Sequence, residues 1–266
     1  MLHSLAVLTL ALPVAGSAHL FQDDVADVPL RDLRAGEVEQ MRYFLIGAEA
    51  EAKAPKGGFR LLLVMPGGNG GADFKTFVQR IWKHVLDERY LVAQLVAPQW
   101  SKEQAEKLVW PTKRNPWPKA EFTTETFLEA VIADVEERHT LDLQHVYTLS
   151  WSSSGPAAYA YSLTKGTRVT GSFVAMSVFK PDQLPKLSAA KGQAYYLLHS
   201  PDDFIPIRMA EDARKRLAKA KAQVVLETYE GGRGWRGNVY GMMRAGIEWL
   251  EEHHAKAAKR PRKKRR

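Results

Sequence analysis

The sequence predicts one α/β domain in which helices cover both faces of a mostly parallel sheet. Short apolar runs alternate along the chain with segments of helical period, which is typical of parallel strands connected by helices. The chain has 266 residues, of which 45% are hydrophobic, and this is enough for one sizeable core. We therefore expect a single domain, spanning residues 19–254, with no internal repeat.

Seven apolar runs predict the strands. We expect six of them to form the parallel part of the sheet and the first run to pair antiparallel at its edge. In chain order the runs are MRYFLI (41–46), FRLLLVM (59–65), YLVAQLVA (90–97), HVYTLS (145–150), VTGSFVAMSVF (169–179), QAYYLLH (193–199) and QVVLETY (223–229).

Five segments between these runs have the helical period. They are FKTFVQRIWKHVLD, TTETFLEAVIADVEERH, GPAAYAYSL, IRMAEDARKRLAKAKA and NVYGMMRAGIEWLEEHH. Thr123 or Thr124 can cap the second segment, because a threonine hydroxyl accepts a hydrogen bond from a free backbone N–H at a helix start. The long connection 109–122 contains three prolines and two tryptophans, which favours a rigid loop over one end of the sheet.

The formal net charge of +8 comes from the end of the chain. Residues 256–266 contain eight lysines and arginines and no acid, so the rest of the chain is neutral. A neutral body argues against a nucleic-acid-binding fold, which presents a basic face. We expect residues 255–266 to be a disordered tail that binds anionic polymers weakly through Lys256–Arg266, with no specific nucleic-acid partner.

The start of the chain has features of an export signal. Residues 5–18 are apolar and uncharged, too few to span a bilayer, and end in small residues that suit a cleavage site. We expect residues 1–18 to be a signal peptide, the protein to be secreted or periplasmic, and the chain to have no transmembrane segment. The start lacks the usual Lys or Arg, so a misassigned start or a buried N-terminal strand are alternatives. The absence of cysteine excludes disulfides and thiolate metal sites.

Three loops follow predicted strands at the edge where open α/β sheets place their ligands. The first loop, PGGNGGADF (66–74), lacks the glycine spacing of dinucleotide-binding loops and the Gly-Lys-Ser/Thr of phosphate-binding loops. Its backbone N–H groups could instead stabilise an oxyanion. A purely structural glycine turn is an equal alternative.

In the second loop, LSWSSSGPAAYA (149–160), a strand turns directly into an alanine-rich helix. The Gly-x-Ser-x-Gly elbow of serine hydrolases needs small residues two positions before and after the serine, because strand and helix cross closely there. Here Ser152 is central, and Ser150 and Ser154 replace the glycines. The pattern predicts a nucleophile at Ser152; a serine-rich helix cap is the alternative.

The third loop lies within LLHSPDDFIPIRMAEDA (197–213) and presents two adjacent carboxylates. Asp203, or Asp202 one residue before it, could orient a catalytic base, whereas capping the next helix is the simpler explanation. Ser152, Asp203 and the turn GGRGW (231–235) follow one another in the order nucleophile, acid, base.

The motifs PGGNG, WSSSGPAAYA, AMSVF, LLHSPDD and TYEGGRGW together resemble α/β-hydrolases of the dienelactone hydrolase, polyhydroxybutyrate depolymerase and small carboxylesterase kind, over residues 59–250. The resemblance implies an α/β-hydrolase fold without a large cap domain, acyl-ester hydrolysis and no cofactor. By position it implies that Ser152 is the nucleophile, that Gly68 and Ser153 donate the oxyanion N–H groups, and that Asp203 is the acid.

The resemblance also implies a pocket for a small ester or acyl substrate. We expect Trp110 and Trp117 of the long loop, together with Trp151, to offer apolar surface to that substrate. Either loop tryptophan could instead belong to the core.

The chain departs from this family at Arg233, which occupies the position of the catalytic histidine. A guanidinium has no acceptor lone pair for the serine proton, so Arg233 cannot be the general base. We expect it to form a bidentate ion pair with Asp203 that preserves the turn. His199 is the one other histidine near this edge; we expect it to be structural, and the alternative is that it acts as the base if its loop lets it turn inward. No histidine has metal-ligand spacing.

Two functions follow from these residues. The first is a carboxylesterase-type serine hydrolase that acts through Ser152 and is impaired by Arg233. The alternative is a catalytically inactive pseudohydrolase that binds a small anionic or acyl ligand.

Overall fold

The structure is a computed structural model that describes residues 23–254. The expected signal peptide (1–18) and basic tail (255–266) lie outside these residues, so both remain predictions.

Eight strands form one sheet. They are β1 (Leu30–Arg34), β2 (Arg42–Ile46), β3 (Phe59–Met65), β4 (Tyr90–Leu95), β5 (Leu141–Trp151), β6 (Gly171–Ala175), β7 (Ala194–His199) and β8 (Gln223–Thr228). Their spatial order is β1-β2-β4-β3-β5-β6-β7-β8. Strands β3 to β8 are all parallel, and β2 runs antiparallel to both of its neighbours, β1 and β4. The expectation of a mostly parallel sheet is confirmed.

The described residues contain six α-helices. They are α1 (Lys75–Val85), α2 (Lys102–Lys107), α3 (Thr124–Arg138), α4 (Gly155–Ser162), α5 (Arg208–Lys219) and α6 (Val239–His253). Of the two candidate caps for α3, Thr123 is the one used, because its side chain accepts the Thr126 N–H.

Each face of the sheet has its own apolar core. Successive side chains of a strand point to opposite faces, so Leu61 and Leu63 of β3 pack with α3, α4 and α5, whereas Leu62 and Val64 pack with α1 and α6. Fully burying a side chain of this size contributes about 1.5–3 kcal/mol. The two cores therefore hold the central strand ends, where the candidate site lies, in fixed positions.

Helix α4 fixes the end of β5. Its residues Gly155 and 157–162 are all buried, and it packs against β5 and β6. Three of these residues are alanines, whose small side chains let the helix lie close to the strands. The short segment between β5 and α4 consequently has little freedom to move.

Several elements differ from the sequence-based prediction, including β5, which begins at Leu141 and not at His145. Strand β2 is antiparallel as expected but is not at the edge, because the charged segment LRDLR of β1 pairs outside it. Strand β6 ends at Ala175, since Met176 turns out of the strand with a φ of +41°. The short helix α2 was not predicted; the Ser101 side chain caps it by accepting the Gln104 N–H.

Among residues 23–254, no helix has both the length and the apolar character needed to cross a bilayer. Within the same range, no cluster of three or more His, Asp or Glu side chains is placed to hold a metal ion.

Candidate functional site

Ser152 lies at a sharp turn between β5 and α4. Trp151 is still extended, with a φ of −144°, and Ser152 has a φ of +60°, which a residue with a Cβ adopts rarely. Helix α4 begins three residues later, at Gly155. A strained serine at a strand-to-helix turn is the geometry of a nucleophile elbow, in which the hydroxyl is presented above the carboxyl end of the sheet.

Two serines occupy the usual glycine positions of the elbow, and the hydroxyls of both have hydrogen-bond partners. Ser150 is fully buried, and its Oγ donates to the Phe173 carbonyl at 3.3 Å. Ser154 is also fully buried; its Oγ donates to the Met65 carbonyl at 2.6 Å and accepts the Trp151 N–H at 3.0 Å. Because both hydroxyls are satisfied, the two serines brace the turn that holds Ser152.

Two glycines allow other segments to approach the elbow closely. A Cβ on Gly67 would lie 2.6 Å from the Trp151 carbonyl oxygen, and a Cβ on Gly155 would lie 2.5 Å from Ser177 Cβ. Ser177 in turn donates from Oγ to the Ser152 carbonyl at 2.6 Å. The elbow is therefore clamped on both sides by neighbouring loops.

Asp203 lies in the loop after β7, and its carboxylate is wholly shielded from solvent. Its Oδ1 accepts the Ile205 N–H at 2.9 Å, which fixes the side chain against its own loop. Its Oδ2 is 3.1 Å from a guanidinium nitrogen of Arg233. A buried carboxylate without a partner would be strongly destabilising, so Arg233 also stabilises this loop.

The turn that carries Arg233 is held at both ends. Gly232 and Gly234 have φ values of +73° and +93°, which only glycine adopts easily. The Gly232 N–H donates to Ser200 Oγ at 3.1 Å, and the Tyr229 hydroxyl donates to the Gly234 carbonyl at 2.9 Å. Burial, and after it the negative charge of Asp203, raises the pKa of Tyr229, so the hydroxyl stays a donor near neutral pH.

The Arg233 guanidinium joins three parts of the site. Nη1 donates to Asp203 Oδ2 at 3.1 Å and to the Met176 carbonyl at 2.7 Å, and Nη2 donates to Ser152 Oγ. The expected bidentate pair with Asp203 is wrong, because only Nη1 contacts that carboxylate. The second nitrogen instead reaches the candidate nucleophile, so Ser152, Arg233 and Asp203 form one hydrogen-bonded row.

Comparison with known proteins gives a fold but no sequence relative. No protein-family model matches the chain, and no curated protein sequence matches it. A thermostable esterase superposes with a TM-score of 0.63 at 15% identity, over 88% of this chain and 64% of the esterase. The chain thus spans less than two thirds of that protein.

Two further solved structures match over most of their length. A fungal esterase from Rhizomucor miehei has a TM-score of 0.64 at 11% identity, over 88% of this chain and 85% of the esterase. An α/β-hydrolase enzyme from a Medee basin deep-sea metagenome library has a TM-score of 0.63 at 11% identity, over 85% of this chain and 97% of that one.

The chain has the α/β-hydrolase fold. Its eight-stranded, mostly parallel sheet and its helices superpose on these esterase and hydrolase structures. Identities this low establish the fold and do not assign an activity. The expected fold class is therefore confirmed, while the specific subfamily is not.

In this α/β-hydrolase fold the two residues that carry the candidate oxyanion donors are in contact. Gly68 has a φ of +61°, and its carbonyl accepts a hydrogen bond from Ser153 Oγ at 2.9 Å. The Ser153 N–H belongs to the first helical turn after the elbow, where amide groups have no intrahelical acceptor. The glycine loop is thus tied to the residue that follows the candidate nucleophile.

The three tryptophans differ in how much surface they offer. Trp110 is 2% exposed and donates its indole N–H to the Pro66 carbonyl, so it supports the glycine loop from within the core. Trp117 is half-buried in the long loop. Trp151 is 5% exposed and packs edge-on against Phe74 and Trp235, beside Ser152.

The alternative residues lie apart from the hydrogen-bonded row. Asp202 is exposed, whereas its neighbour Asp203 points inward to Arg233. His199 is 1% exposed, and its Nε2 donates to the Ile205 carbonyl at 2.8 Å, in keeping with a structural residue.

Sequence reasoning missed two contributors to the site. The carbonyl of Met176 holds Arg233, and the ring of Phe204 stacks on the guanidinium with 4.7 Å between Cζ and the ring centroid. Phe204 could have been noticed as an apolar residue directly after two aspartates. No pattern in the sequence points to a backbone carbonyl such as that of Met176.

Proposed function

We propose that this protein is a carboxylesterase-type serine hydrolase in which Ser152 attacks esters and whose turnover is impaired by Arg233. The observation that carries the proposal is the strained φ of Ser152 at a fully braced elbow. Strain of this kind costs free energy and is common where a side chain is presented to a ligand. Glu37, Met176 and Lys221 also have a positive φ, and what distinguishes Ser152 is its position between a parallel strand and a helix. The esterase neighbours support ester chemistry for the fold.

The proposed reaction begins with attack of Ser152 Oγ on the ester carbonyl carbon. The N–H groups of Gly68 and Ser153 would stabilise the negative charge that develops on the carbonyl oxygen. The alkoxide then leaves and takes a proton from water, and a further water hydrolyses the acyl-serine to release the carboxylic acid. We propose small esters as substrates, because Trp151, which directly precedes Ser152, is 5% exposed and offers limited apolar surface.

The difficult step of this reaction is removal of the hydroxyl proton from Ser152. In a complete triad a histidine accepts that proton and later delivers it to the leaving alcohol. Arg233 donates to Ser152 Oγ and has no lone pair with which to accept. The serine proton has to pass to water, so only activated esters should react at a measurable rate. Loss of one triad member typically lowers turnover by about 10⁴ to 10⁶.

A fluorophosphonate probe tests whether Ser152 retains nucleophilic reactivity. We expect slow covalent labelling of the wild type that disappears in Ser152→Ala. Ser101→Ala, which removes an exposed serine at the distant start of α2, serves as the matched control and should label as the wild type does. Absence of labelling in the wild type, or labelling that persists in Ser152→Ala, would contradict the proposal.

The remaining parts of the proposal concern location and the chain ends. We propose that residues 1–18 direct export, so that the hydrolase acts outside the cytoplasm. We further propose that the cationic segment Lys256–Arg266 attaches the protein weakly to anionic polymers without taking part in the reaction.

A further inference from the structure

The hydrogen bond between Arg233 and Ser152 runs in the opposite direction to that of a serine–histidine pair. A neutral histidine accepts the serine hydroxyl hydrogen, which leaves Ser Oγ as an electron-rich acceptor toward the substrate. Here Ser152 Oγ accepts from Arg233 Nη2, its one hydrogen-bond partner among residues 23–254. The hydroxyl hydrogen of Ser152 is therefore available to a ligand, so Ser152 acts toward that ligand as a donor.

Other hydrogen-bond donors with unused N–H groups lie around Ser152. The Gly68 N–H has no acceptor within the described part of the chain, and the Ser153 N–H starts a helical turn. A guanidinium has five N–H groups, and the bonds from Arg233 to Asp203, Met176 and Ser152 occupy three of them. The Arg233 side chain is 29% exposed, so a ligand can reach it. A site rich in donors suits a ligand that consists of acceptors.

An apolar surface lies next to these donors. Phe204 is 75% exposed and is the one large hydrophobic side chain that is strongly exposed in residues 23–254. One side of its ring is stacked with the Arg233 guanidinium. The rest of the ring faces solvent, where a second aromatic group could cover it at little cost in entropy.

We propose that this site binds a small carboxylate that carries an aromatic or other apolar group, in preference to the neutral ester or amide of the same acid. The carboxylate oxygens would accept from Ser152, Arg233 and the N–H groups of Gly68 and Ser153, and the apolar group would cover Phe204. Asp203 offsets the charge of Arg233, so a single negative charge suits the site better than the double charge of a phosphate. This inference rests on the same site as the proposed hydrolase.

Calorimetric titration of the full-length wild type with benzoate and with benzamide tests the charge preference. The two molecules are nearly equal in shape and differ in charge. We expect benzoate to bind at least about tenfold more tightly, because charge-assisted hydrogen bonds are about twice as strong as neutral ones. Equal affinities, or no heat of binding for benzoate, would overturn the proposal.

Variants then assign the binding to the proposed groups. Arg233→Gln should weaken benzoate binding at least about tenfold, whereas Arg236→Gln, which removes one charge from an exposed side chain of the same turn, should retain it. Phe204→Ala should lower the affinity for benzoate but leave the affinity for acetate unchanged. If Arg233→Gln lowers the melting temperature too far for titration, two results still test the carboxylate site. They are the benzoate–benzamide comparison in the wild type and the affinities measured for Phe204→Ala.

The two proposals fail separately. Binding of benzoate by a wild type whose Ser152 never reacts with a fluorophosphonate would leave the carboxylate site standing and remove the hydrolase. Labelling of Ser152 without preference for benzoate over benzamide would leave the hydrolase standing and remove the carboxylate site.

Discussion

Arg233 donates a hydrogen bond to Ser152 Oγ while its other terminal nitrogen is held by Asp203 and by the Met176 carbonyl. Arg233 thus contacts Ser152 and Asp203, the two residues between which the resemblance places a catalytic histidine, but a guanidinium cannot accept the serine proton. In the proposed hydrolase, the chemistry of this one side chain would separate the arrangement from a complete triad.

Arg233→His should create a gain of function. An imidazole in this turn can accept the Ser152 proton on one nitrogen while Asp203 accepts from the other. We expect kcat/KM for p-nitrophenyl acetate to rise at least about 10²-fold over a feeble wild type, and Ser152→Ala in the same background to erase the increase.

The matched control for this gain is Arg236→His, which places an imidazole on an exposed residue three positions away. It should leave the rate at the wild-type level. If Arg233→His folds but stays as inactive as the double variant, then the elbow does not present Ser152 for attack.

The hydroxyl of Ser154 should be important for stability. In Ser154→Ala the buried Trp151 N–H loses its acceptor and the Met65 carbonyl loses a donor. Leaving such a group unpaired costs about 1–3 kcal/mol in the free energy of unfolding, which urea denaturation can measure. Ser153→Ala, whose hydroxyl is more exposed, should cost less; equal losses for the two would mean that the buried hydroxyl does not brace the elbow.

Stability should fall as the pH is lowered from about 7 to about 5. Burial, assisted by the nearby charges of Arg31 and Arg138, lowers the pKa of His139, and burial also lowers the pKa of His145. The unfolded chain therefore binds these protons at a higher pH than the folded chain does, and acid favours unfolding. Denaturation curves across this range should show a smaller loss in His139→Gln, in which the group at that position no longer titrates.

The dependence of stability on pH should not vanish in His139→Gln, because His145 contributes to it with the same sign. Carboxylates with lowered pKa, such as Asp32 paired with Arg42, act below this range, near and under their ordinary pKa of 3.8. An unchanged slope in His139→Gln would show that the buried imidazole of His139 does not carry the effect.

The last residues should account for binding to anionic polymers. Truncation after Ala255 removes all of the excess positive charge. We expect the wild type to be retained on heparin at low salt and released as salt is added, and the truncated protein to pass through without retention. Equal melting temperatures would show that the tail does not support the fold. Retention of the truncated protein would place the binding surface on the body.

The central part of this fold was predictable because its physical signals are local. Apolar runs located β3, β4, β7 and β8 almost to the residue, and the order of motifs located Ser152 and Asp203 at strand ends. Strand β1 was not predictable, since LRDLR gains its strand conformation by pairing with β2 and its charges form surface ion pairs, including Asp32 with Arg42.

The details of the site were less accessible, because they depend on distances between loops far apart in the chain. The sequence placed Arg233 opposite Asp203 but could not show that one nitrogen turns to Ser152. It suggested a degraded elbow from Ser150 and Ser154, and only the approach of Phe173 and Met65 shows that both hydroxyls are satisfied. Of the two positions considered for Trp110, a pocket wall or the core, the core is the one found, where its indole N–H donates to the Pro66 carbonyl.

The aromatic packing beside the elbow gives the site an intrinsic fluorescence signal. Trp151 directly precedes Ser152, and its ring lies 5.8 Å from that of Trp235, centroid to centroid. Indole emission shifts in colour and intensity with the polarity around the ring, so an acyl group on Ser152, or a carboxylate held beside it, changes the fluorescence of the unlabelled protein. Ultraviolet excitation in a rapid-mixing instrument can therefore record arrival and departure at the site in real time, without a coloured substrate or an attached dye.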